Sequence, residues 1–96
     1  MGFLHYGETR SFAFDDRPLT HLRTVILGKL SLQESLVFTW IDDSKQQSLW
    51  LHPSIPLYFE FEESVTPALN AVWIEQLFAL AHSPSGLLLS DEPSES

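Results

Sequence analysis

Hydrophobic and polar positions change period several times along the chain, and each change marks an element. Residues 2–6 (GFLHY) and 10–14 (RSFAF) are short runs joined by Gly7–Glu8–Thr9. In the second run Phe12 and Phe14 point one way and Ser11 and Ala13 the other, the period of two of a half-buried strand. Three linking residues with a glycine make the pair a hairpin. From Asp16 the period lengthens. Leu19, Leu22, Val25, Ile26 and Leu30 recur on one face of a helix that ends near Leu30. Asp16 is placed to accept from the free amides of the first turn, and Pro18 is tolerated there because its missing N–H costs nothing. Gly28 either weakens the last turn or admits a close neighbour.

Residues 35–41 (SLVFTWI) carry β-branched and aromatic side chains on both faces, the pattern of a central strand. The polar loop 42–46 returns the chain as a strand over 47–52. Pro53 and Pro56 then interrupt the ladder, since neither can donate to it. A fifth strand covers 57–62, with Leu57, Phe59 and Phe61 on one face. Thr66–Pro67 has the form of a helix start, and the periodic segment runs to about His82, where Ser83–Pro84–Ser85–Gly86 stops it. Residues 87–90 make a last short strand.

The two halves resemble each other. Shifting the chain by 47 positions lays residues 3–30 over 50–77, and seven of the 28 pairs are identical, among them His5/His52, Phe12/Phe59 and Phe14/Phe61. A fixed period of self-similarity indicates a repeated supersecondary unit. The sequence therefore predicts an α+β domain over residues 1–90: a mostly antiparallel six-stranded sheet with two helices, built from two strand–strand–helix–strand pseudo-repeats. Residues 91–96 (DEPSES) are expected to form a flexible acidic tail.

Charge narrows the function. The 96 residues hold 13 acidic and 5 basic side chains, a net charge of −8, which opposes binding to a phosphate backbone. The cations Arg10, Arg17, Arg23 and Lys29 fall within twenty residues and read as ordinary solvated charge, so a nucleic-acid partner is not expected. Without cysteine there is no disulfide, thiol chemistry or thiolate-bound metal. No run reaches the length of a membrane span and the N-terminus lacks a signal-peptide pattern, so a cytoplasmic protein without membrane contact is expected.

Candidate chemistry is sparse. There is no GxSxG and no P-loop, and the acidic pairs Asp42–Asp43 and Glu62–Glu63 read as solvated loop charges. His5 and His52 occupy equivalent positions of the repeat but have no metal-ligand spacing, so no metal or cofactor is expected. Asn70 falls amid the apolar arc of the second helix and must be hydrogen-bonded if buried, with the turn 52–56 as the candidate partner. Trp40, Trp50, His52, Asn70 and Trp73 together have the composition of a small-ligand pocket, aromatic with a few polar groups. The second helix is apolar well beyond one stripe, around Val72, Phe78 and Ala79, which points to a homodimer contact through that helix or to an unidentified protein partner.

The segments FDDRPLTHL, LVFTWIDD, WLHPSIPLYFEF and LNAVWIEQLF, in this order over residues 2–90, resemble short actinobacterial proteins of unknown function that often carry the label ATP-dependent DNA ligase. The resemblance brings no catalytic or binding residues with it. The label fails on chemistry: a ligase needs a lysine in KxDG, whereas Lys29 precedes Leu30–Ser31 and Lys45 precedes Gln46–Gln47. The sequence leads to a non-catalytic interaction or accessory module, with a small-ligand pocket protein and a ligase-related accessory protein as alternatives.

Overall fold

The computed structural model describes residues 1–95. The elements are β1 (Gly2–Tyr6), β2 (Arg10–Phe14), α1 (Asp16–Ser31), β3 (Leu36–Asp42), β4 (Lys45–Leu51), β5 (Leu57–Glu60), α2 (Ala71–Ala81) and β6 (Leu87–Leu88). This is an α+β fold. The strands form two three-stranded sheets, β2-β1-β5 and β4-β3-β6, rather than the single six-stranded sheet expected from the pattern. Three of the four strand pairs are antiparallel, and β3 with β6 is parallel.

The proline turn accounts for the split. Pro53 and Pro56 cannot extend a ladder, and between them the chain leaves the second sheet at Leu51 and enters the first at Leu57. The Gly7 amide donates to the Pro56 carbonyl at 2.9 Å, and the Tyr6 hydroxyl donates to the Trp50 carbonyl, fixing this turn to the end of β1. The pseudo-repeat is consequently one of order and not of pairing. β1 and β2 form a hairpin, but their counterparts β4 and β5 lie in different sheets. A shift of 47 would also start the second helix near residue 63, whereas it starts at Ala71.

The core lies between the inner faces of the sheets and the helices. Leu19, Leu22, Val25 and Ile26 of α1 are fully buried, as the 3.6-residue period requires. The sheets meet through rings: Phe12 lies edge-on to Trp40 at 5.0 Å, Phe14 does the same at 5.4 Å, and Phe38 stacks on Trp40 at 4.9 Å. Edge-on and offset contacts suit the ring quadrupoles and add to the burial energy.

Phe78, one of the surplus apolar side chains of α2, packs against α1. A Cβ at Gly28 would stand 3.0 Å from the Phe78 ring, so the glycine admits Phe78 between the helices. A second glycine has a comparable task. Gly86 has φ +85, and a Cβ there would lie 2.6 Å from the Val37 carbonyl oxygen, so only glycine brings β6 alongside β3 without strain.

Helix α2 begins later than the Thr66–Pro67 signal indicates. Its N-cap is Asn70, whose Oδ1 accepts from the amides of Val72 at 3.0 Å and Trp73 at 3.2 Å. In a helix begun at residue 67 the Val72 amide would bond the Ala68 carbonyl. That carbonyl instead accepts from Arg17 Nη1 at 3.1 Å, and the longer helix is foregone. Asp16 likewise does not cap its own helix. Its two carboxylate oxygens accept from the amides of Glu62 and Glu63, at 3.1 and 3.0 Å, and hold the loop after β5 against the start of α1.

Candidate functional site

The five residues proposed as a pocket do not come together as one. Trp40 is buried in the core with its ring enclosed by Phe12, Phe14 and Phe38. Trp50 is exposed on β4, its ring 5.1 Å from His52. His52 Nδ1 faces the hydroxyl and amide of Ser54, at 2.7 and 3.1 Å, an arrangement internal to the proline turn. Asn70 and Trp73 are buried at the start of α2, where their neighbours are His21, Ser90 and the C-terminal segment.

That second group is a densely bonded polar cluster among the described residues. The buried His21 ring accepts the Asn70 amide at Nε2, 2.8 Å away. Nδ1 must then carry the proton, which it donates to the Arg17 carbonyl at 2.8 Å. Asn70 Nδ2 donates to Glu92 at 3.0 Å and to the Pro93 carbonyl at 2.9 Å. Arg17 grips the same carboxylate through two nitrogens, at 2.6 and 2.5 Å. Asn70 is thus buried and bonded as the sequence requires, but to its own helix and to residues 92–93 rather than to the turn 52–56. Glu92 and Pro93 take these partners within a segment whose composition signals no packing; Ser96 at its end lies outside the described residues. Every bond in the cluster joins one part of the chain to another, so its chemistry is that of a clamp.

The clamp has a pH signature. Arg17 first, and Asn70 second, hold the Glu92 carboxyl at about 2 against an ordinary value of 4.5. A carboxylate with a lowered folded-state value stabilises the fold above its unfolded value, and the gain fades as pH falls from about 4.5 towards 2. Glu92→Gln should therefore lower the melting temperature at pH 7 and flatten its fall across that acid window. Melting curves of both proteins between pH 7 and 2 would measure this; an unchanged acid slope would show that Glu92 carries no such linkage.

On the outer face of the β2-β1-β5 sheet, Ser11 Oγ lies 2.7 Å from His5 Nδ1, and Glu60 Oε1 lies 2.9 Å from Nε2. Phe3 and Tyr58 flank the ring. Serine, imidazole and carboxylate in line are the components of nucleophilic catalysis. Here Ser11 and Glu60 are exposed on an open strand surface, where water screens the charges, so the group stands as a surface network. His5 and His52 engage separate partners.

The outer face of the β4-β3-β6 sheet is different in kind. Register places Val37 beside Trp50, Ile41 beside Gln46, and Thr39 between Ser48 and Leu88. Four large apolar side chains are open to solvent there: Val37 at 40%, Ile41 at 62%, Trp50 at 57% and Leu88 at 47%. No charged side chain lies among these seven, and from Ser44 to Phe59 the chain has no acidic residue at all. The sequence signal was the apolar character of SLVFTWI on both faces, which suits a fully buried strand equally well and so hid the exposed side.

The chain belongs to the DUF7882 family, described as a domain of unknown function, whose model matches residues 1–92. No curated protein and no solved structure matches it. No helix among the described residues is long and apolar enough to cross a membrane.

Proposed function

We propose that the chain is a non-catalytic interaction module that pairs with a second copy of itself through the outer face of the β4-β3-β6 sheet. The observation that carries this is the charge-free patch of Val37, Ile41, Trp50 and Leu88. Interface centres are depleted of charge and enriched in aromatic residues. Two chains of like charge approach at least electrostatic cost where neither presents an acid, and the patch satisfies that for a self-contact. This moves the proposed homodimer contact from α2, whose Phe78 is already against α1, to the sheet. Cytoplasmic residence belongs to the same reading and rests on the cysteine-free composition.

Trp40 and Trp73 are buried, so Trp50 is the tryptophan whose surroundings change when this face is covered. Its emission maximum is expected to shift to the blue as protein concentration rises through the association range. Trp50→Lys should abolish the shift. A maximum independent of concentration in the wild type would speak against the reading.

The accessory role in DNA ligation suggested by the resemblance to ligase-labelled actinobacterial proteins has less behind it. Arg17 is paired with Glu92 and Lys29 with Glu34, which removes two of the four clustered cations. A basic face for a phosphate backbone is not left.

A further inference from the structure

A cleft of about 330 Å³ opens between α1 and the loop that follows β5, lined by Thr20, Arg23, Phe59, Phe61, Glu63 and Val65 among others. Its volume falls at the lower end of small-molecule sites. Both ends of its loop wall are fixed to α1. Asp16 holds the amides of Glu62 and Glu63, and Arg17 holds the Ala68 carbonyl. The two amides, Glu63 before Glu62, keep the Asp16 carboxyl below its ordinary value, so the anchor persists through the neutral range. Asp16, Thr20 and Arg23 stand at i, i+4 and i+7 along one stripe of the helix, so the anchoring carboxylate and the guanidinium belong to the same wall.

Arg23 is the cation of this lining. Its guanidinium, like the side-chain nitrogens of Arg10 and Lys45, has no ion-pair partner and no hydrogen bond among the described residues. Its guanidinium offers five donors in a planar fork suited to a carboxylate. The half-buried rings of Phe59 and Phe61 supply an apolar lining beside it. Glu63 brings a single negative charge to the same cleft and opposes a ligand with a second one.

The geometry points to this cleft as a binding site for a small organic monocarboxylate with an apolar tail, the carboxylate on Arg23 and the tail against Phe59 and Phe61. The site is independent of the self-association proposed above, because none of its residues lies on the outer face of the β4-β3-β6 sheet.

The test is a titration of the whole chain with 3-phenylpropionate, followed by amide NMR shifts. Saturable shifts confined to the region of Arg23 and residues 59–67 are expected, with at least about tenfold weaker binding of 3-phenylpropionamide, since the charge-assisted bonds are lost. Arg23→Gln should weaken the acid by a similar factor and leave the amide unaffected. Arg23 is exposed, so the variant should fold, which its unchanged spectrum away from the cleft would verify. The assignment is overturned if the acid does not saturate, if the amide binds as tightly, or if folded Arg23→Gln binds the acid like the wild type.

Discussion

Trp73→Ala is expected to lower the unfolding free energy by about 3–5 kcal/mol. Trp73 is 3% exposed at the first turn of α2. Its ring lies 4.6 Å from the His21 ring, and its indole N–H donates to the Ser90 hydroxyl at 3.3 Å. Truncation leaves a cavity beside His21, whose two nitrogens are fixed by backbone partners and cannot turn to fill it. A domain of this size has a total stability of about 5–15 kcal/mol, so the variant should approach the limit of folding. Urea unfolding followed by far-ultraviolet circular dichroism would measure the loss. A midpoint equal to the wild type would place Trp73 outside the core.

Asn70→Asp is expected to cost about 2–4 kcal/mol, more than Asn70→Ser, although aspartate is an equally good N-cap. The two changes separate the roles of the side chain. Oδ1 caps Val72 and Trp73, a role that aspartate keeps, and a negative charge at a helix N-terminus gains about 0.3–1 kcal/mol. Nδ2 donates to Glu92 and Pro93, which aspartate cannot do. Asn70→Asp therefore replaces a donor by a carboxylate at the position now 3.0 Å from another carboxylate, and the loss exceeds the dipole gain. Serine gives up the same donors without adding charge, at about 1–2 kcal/mol. Adding Glu92→Gln should recover part of the Asn70→Asp loss, because the repulsion disappears. Equal stability of Asn70→Asp and wild type, or no recovery in the double variant, would show that the clamp to Glu92 contributes nothing.

The local patterns of this chain were legible where a single physical rule governs them. The period of 3.6 marks both helices and the period of two marks β2 and β5, because burial of one face is a short-range constraint. Asp43 and Ser44, both with positive φ, close the β3–β4 hairpin in fewer residues than the polar run Asp42–Gln46 suggests. What escaped was the set of competitions between distant groups. Thr66–Pro67 is a good helix start by local chemistry, yet Arg17, 51 residues away, holds the Ala68 carbonyl that this start needs. Asp16 reads as a cap and serves as an anchor for Glu62 and Glu63. Whether six strands make one sheet or two depends on where the chain crosses after the prolines, and hydrophobic period is silent on that.

The proposed functional face escaped for a related reason. An apolar side chain at Val37 or Ile41 has the same identity whether a helix or a second molecule covers it. The lack of acids from Ser44 to Phe59 was visible in the sequence, and it gains meaning once β3 and β4 are seen to share one open face. The cleft beside Arg23 has no local signal in the sequence, because Asp16 and Arg17 fix the loop that lines it to α1 across more than 40 residues of chain.

Sedimentation equilibrium of the wild type and of Trp50→Lys tests the central claim most directly. The account predicts a concentration-dependent mass for the wild type rising from 10.9 kDa towards twice that value, and a Trp50→Lys variant that stays at 10.9 kDa with unchanged circular dichroism. A wild type that remains at 10.9 kDa at every concentration, or a Trp50→Lys variant that associates as the wild type does, would contradict it.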